Sequence, residues 1–87
     1  MDRQILRNFK KAYAALAVLH ASGVAVSQVV FFVDGSGHVD VSKFEADKLT
    51  DEVRAKIEVV LGVWKSPAEW HENPRTGDLE LEWPWRT

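Results

Sequence analysis

Three histidines and a scatter of acids are the side chains in this sequence that could take part in chemistry. His20 falls near the end of a helical pattern, His38 follows a turn, and His71 stands beside Glu72; no pair has the spacing of a zinc motif. Ser27, His38 and Asp40 offer the residue types of a nucleophile, a base and an orienting acid, but nothing in their spacing brings them together. Gly35 and Gly37 lead into a strand and not into a helix N-terminus, so they do not make a phosphate loop. No catalytic residue, metal ligand or cofactor is assigned on this basis, and a small enzyme of unknown chemistry stays an alternative.

The run Asp34-Gly35-Ser36-Gly37-His38-Val39-Asp40 resembles the middle of an EF-hand calcium loop. In that frame Phe32 takes the first ligand position, and Lys43 stands at the twelfth, where a bidentate glutamate belongs. A frame from Asp34 to Glu45 restores both end ligands but puts Val39 where the loop needs glycine. The flanking VSQVVFF has the composition of a strand, so the run is taken as a hairpin turn.

The elements that must position these residues begin with a helix over Asp2 to Ala21, where Ile5, Phe9, Ala12, Leu16 and Leu19 recur at helical spacing beside Leu6 and Tyr13. Asp2 is the expected cap, and Ser22-Gly23 the stop. Val24 to Val33 is a strand that turns at Asp34 to Gly37 into a second, His38 to Val41. A tight turn there would set Val33 opposite His38, Phe32 opposite Val39 and Phe31 opposite Asp40. One face would then hold Val26, Val30, Phe32, Val39 and Val41 beneath the helices. The other would be open, presenting Val29, Phe31 and Val33, framed by His38, Asp40, Glu80 and Glu82.

Ser42 and Glu45 have capping-box spacing for a short helical turn, with Phe44 as its apolar anchor. Thr50 caps a second helix, with Asp51 and Glu52 in its first turn, a stripe of Val53, Ile57, Val60, Leu61 and Trp64, and Gly62 in its last. Ser66-Pro67-Ala68-Glu69 predicts a short helix that stops at Asn73-Pro74. Leu79-Glu80-Leu81-Glu82-Trp83 alternates as a half-buried strand, and Pro84 ends it. The pattern predicts one α+β domain over residues 1–87, built as α-β-β-α-(short helix)-β. Its three-stranded sheet has the order 2-1-3, with a right-handed crossover between parallel outer strands and helices mainly on one face.

Composition narrows the partners. With 46% apolar residues, 87 residues suffice for one small core. There is no cysteine, so disulfides and thiolate chemistry are excluded. No apolar run approaches the ~20 residues of a membrane span. Lys10 to Gly23 has the basic and apolar parts of a secretory signal, yet its apolar run is short and follows an amphipathic segment, so it is assigned to the fold of a cytoplasmic protein. The formal charge is −2, divided between four bases and one acid in residues 1–23 and seven bases and twelve acids in 24–87.

Arg3, Arg7, Lys10 and Lys11 lie off the apolar stripe, so nucleic-acid association through this basic face is one alternative. All four tryptophans fall between Trp64 and Trp85; Trp64 and Trp83 lie on inward stripes, leaving Trp70 and Trp85 as the exposed pair. The expected function is a non-catalytic protein-protein interaction module, a small inhibitor or regulator. It would form a homodimer through Val29, Phe31 and Val33 with His38 and Asp40 as the rim, and use Trp70 and Trp85 as a second patch.

Overall fold

The computed structural model describes residues 3–62 and 69–83. Helix α1 (Arg3–Ala21) buries Asn8, Ala12, Ala15 and Leu19, whose spacing puts them on one side. Its end is closed by Val24 N–H donating to Leu19 O at 2.9 Å and Gly23 N–H donating to His20 O at 3.0 Å, the paired bonds of a Schellman motif. Leu6 and Tyr13, beside the predicted stripe, are exposed.

Strands β1 (Val26–Phe31), β2 (Gly37–Val41), β3 (Glu69–Glu72) and β4 (Leu79–Trp83) form one sheet in the order β1-β2-β4-β3, and every neighbouring pair is antiparallel. The sheet therefore has four strands where three were expected. The first strand is at an edge and not in the centre, and the described strands make no parallel crossover. The burial explains the order. Val39, Val41, Leu81 and Trp83 are at most 1% exposed, so β2 and β4 own the fully covered positions. In β1 the apolar character runs out toward Val26, Ser27 and Gln28, which are exposed.

The β1–β2 connection corrects the expected register. Phe31 pairs with Gly37, Val30 with His38 and Val29 with Val39, so the loop is Phe32–Ser36. Within it, Phe32 N–H donates to Ser36 O at 2.7 Å, and Asp34 Oδ1 accepts from Ser36 N–H at 3.0 Å and from its hydroxyl at 2.6 Å. Gly35 has φ 86°, and a Cβ there would lie 2.5 Å from the Asn8 Cβ. Asn8 Nδ2 donates to Asp34 O and Trp83 Nε1 donates to Gly35 O, each at 2.8 Å. The loop is thus clasped between α1 and β4. The resulting shift of three places is odd, and an odd shift turns the side chains from Gln28 to Phe31 to the opposite face, while a bulge between Val26 and Gln28 leaves Val26 paired with Val41.

Phe31 consequently lies under α1. Its ring centroid is 6.1 Å from that of Phe9, 5.4 Å from Tyr13 and 6.0 Å from Trp83. It and Val29 pack against the core with Val39, Val41, Leu81 and Trp83. The predicted apolar open face does not exist in that form, because its anchor is roofed by the chain's own first helix.

Two further segments depart from expectation. Glu69–Glu72 is strand β3 where a short helix was predicted. A hairpin with β4 satisfies its backbone: Asn73 N–H donates to Asp78 O and Gly77 N–H to Asn73 O, both at 2.8 Å, which a helix of little more than one turn could not match. Phe44, the expected anchor, is 83% exposed on a 3-10 helix (Lys43–Lys48), with the Lys43 ammonium 5.3 Å from its ring centre. Two of the predicted caps are in place: Ser42 Oγ accepts from Phe44 N–H, and Thr50 Oγ1 accepts from Val53 N–H at the start of α2 (Asp51–Leu61); the third, Asp2, lies outside the described residues. Ile57 and Leu61 of α2 join Ala12, Ala15 and Leu19 of α1 over one side of the sheet. No helix among the described residues is long and apolar enough to cross a membrane.

Candidate functional site on the charged sheet face

Alternation along three adjacent strands decides what the other side of the sheet carries. On β2, Val39 and Val41 point to the core, so His38 and Asp40 point away. On β4, Leu81 and Trp83 point in, so Glu80 and Glu82 point out. On β3, Trp70 pairs with Leu81 and turns inward, leaving Glu69 and His71 outward. The pairings His38 with Glu82 and Glu82 with Glu69 make one row; Asp40 with Glu80 and Glu80 with His71 make a second. The result is a grid of six titratable side chains without a lysine or arginine among them.

The grid is tightly packed. His71 Nε2 is 3.1 Å from Glu82 Oε2 and 3.3 Å from Glu69 Oε2, and His38 Nδ1 is 3.7 Å from Glu80 Oε1. Donor atoms of His38, Asp40 and Glu80 all lie within 4.8 Å of one another. His38 Nδ1 and Asp40 Oδ1 are shut off from solvent and have no hydrogen-bond partner among the described residues, a condition that costs about 1–3 kcal/mol for each atom. Glu80 is pushed up to about 7 from an ordinary 4.5: a hydrogen bond with the Glu82 carboxyl is the main cause, followed by burial and the negative charges of Asp40 and Glu82, with His71 pulling the other way. Beside the grid runs a groove of about 280 Å³ between Ser27 and Gln28 of β1, Asp40 and Glu80, and Asn73 and Asp78 of the last turn.

Of the residues singled out in the sequence, His38 and Asp40 meet on this face. Val29 and Phe31 face the helices, and Val33 is 80% exposed in the β1–β2 loop, away from the strand row assigned to it. Trp70, expected to be exposed, is half-buried against the core, with the Arg54 guanidinium 5.0 Å from its ring centre. Trp85 and Trp64 lie outside the described residues. Arg3, Arg7 and Lys10 are exposed along α1, and Lys11 is half-buried. Ser27 Oγ donates to the backbone oxygen of Asp40 at 3.1 Å, so its hydroxyl is engaged with a carbonyl and not with a base.

The alternation of the last strand already places Glu80 and Glu82 on the open side. Glu69 and His71 escape a reading of the sequence because the Ser66-Pro67 start signal suggests a helix; the period-two pattern of Glu69-Trp70-His71-Glu72 is the clue to them. No protein-family model, no curated protein and no solved structure matches this chain, which leaves the geometry of the grid as the guide to its chemistry.

Proposed function

We propose that this chain is a non-catalytic interaction module, a small regulator or inhibitor of a larger protein, that engages a basic surface of its partner through the charged sheet face. The observation that carries the reading is the grid itself: four carboxyls and two histidines crowd a face that no helix among the described residues covers, and the crowding is enough to push Glu80 up to about 7. Lysine or arginine side chains from a partner would bring permanent positive charge to the four carboxyls. Self-association through the same face would set carboxyls against carboxyls at neutral pH. A partner of opposite charge is therefore favoured over a homodimer at this surface.

The test is recovery of partners from the native host with immobilised protein. Glu69→Lys, at an exposed corner of the grid, is expected to abolish recovery, and raised salt to weaken it, while Arg7→Glu on α1 leaves it intact. If Arg7→Glu removes the partner and Glu69→Lys does not, or if the recovered material is nucleic acid, the basic helix is the working surface and this reading is wrong.

A further inference from the structure

We propose that His38, Asp40 and Glu80 form a binding site for a divalent transition-metal ion of the zinc type. The three come from two adjacent strands: His38 and Asp40 are two residues apart on β2, and Glu80 is the cross-strand partner of Asp40 on β4. Pairing at this register holds their Cα atoms on the rigid, central part of the sheet, where ligand positions are set by the ladder and not by a loop. Their donor atoms, one imidazole nitrogen and two carboxylate oxygens, lie within 4.8 Å of one another. Tetrahedral zinc with ligand distances of about 2.0–2.1 Å needs donors roughly 3.4 Å apart, a spacing that the present separations exceed by at most about 1.4 Å.

A second observation points to the same position. His38 Nδ1 and Asp40 Oδ1 are both removed from water and have no hydrogen-bond partner among the described residues. Buried polar atoms in folded proteins are almost always satisfied, and two on neighbouring outward positions of one strand call for a shared partner. An imidazole nitrogen and a carboxylate oxygen can each offer a lone pair to one shared partner. A cation answers both, and it relieves the crowding of Glu80 against Asp40 and Glu82. The mixed nitrogen and oxygen set favours a borderline ion such as zinc over magnesium or calcium, which take all-oxygen shells. Asp40 and Glu80 also line the 280 Å³ groove, so a fourth position would open toward it. The site belongs to the isolated chain and stands whether or not a protein partner binds the same face.

The experiment is calorimetric titration of the purified chain with zinc at pH 7.5, with magnesium titrated in parallel. Zinc is expected to saturate at one ion per chain and to raise the melting temperature; magnesium produces neither effect. His38→Gln and Asp40→Asn each weaken zinc binding at least tenfold, whereas His20→Gln, on α1, leaves it unchanged. Circular dichroism of each variant verifies that the fold persists, and the wild-type titration decides the matter even if a variant unfolds. Absence of saturable zinc binding to the wild type overturns the proposal. So does magnesium binding as tightly as zinc, wild-type affinity in His38→Gln, or loss of binding in His71→Gln with His38→Gln unaffected.

Discussion

Replacing Glu80 with glutamine probes the electrostatic cost of the charged face. In the unfolded chain the carboxyl has its ordinary value of 4.5, and in the fold it is pushed up to about 7, chiefly by the hydrogen bond with Glu82. Between those values the folded chain keeps a proton that the unfolded chain has released. Stability from this group is therefore fully present below about pH 4.5 and is lost as the pH rises through 7. At about 1.4 kcal/mol per pH unit the shift sets a ceiling of ~3 kcal/mol. The side chain is 25% exposed, and solvent screening brings the expected loss to about 1–2 kcal/mol. Glutamine keeps the shape and a donor for Glu82 but cannot ionise. Urea unfolding at pH 5 and pH 8 is the assay. The difference between the two proteins reports position 80 together with the groups it touches, His38, His71, Asp40 and Glu82. The variant is expected to match the wild type at pH 5 and exceed it by about 1–2 kcal/mol at pH 8. Equal pH dependence in the two proteins, or a variant less stable than the wild type at pH 8, would refute the account of the crowded carboxyls.

Two further substitutions test the packing that creates this face. Phe31→Ser removes a half-buried ring from between Phe9, Tyr13 and Trp83 and is expected to cost ~2 kcal/mol in urea unfolding, with the mass by light scattering unchanged; a drop in mass at unchanged stability would restore the apolar interface to Phe31. Gly35→Ala forces a Cβ toward Asn8 at a φ of 86° and is expected to cost about 2–3 kcal/mol; a loss under ~1 kcal/mol would show that the loop is not clasped there.

Loop length and one local signal separate what the sequence predicts from how the chain folds. Both long helices are legible, since their stripes and the Thr50 cap depend on spacing within a few residues. The alternation of Leu79 to Trp83 likewise places Trp83 inside and Glu80 and Glu82 outside. Asp34-Gly35-Ser36-Gly37, however, is compatible with more than one closure. What selects the five-residue loop is contact with Asn8 and Trp83, both far away in sequence. That choice alone moves Val29 and Phe31 from the open face to the covered one. At Glu69 to Glu72 a proline-containing start signal favours a helix, and the tertiary hairpin with β4 overrides it. One of the grid's two histidines is hidden by that signal, and with His71 goes the recognition that three strands contribute to one charged surface.

The position of β4 also bears on how the chain is made. It follows every other described strand in sequence yet lies between β2 and β3, and its Trp83 reaches back 48 residues to the Gly35 carbonyl. During synthesis, α1 and the first hairpin emerge before β4, so the edge of β2 that pairs with Leu79–Trp83 stays open until that strand is made. The core thus closes from its last-made strand, and a nascent chain halted before residue 79 exposes an apolar sheet edge for chaperones to hold.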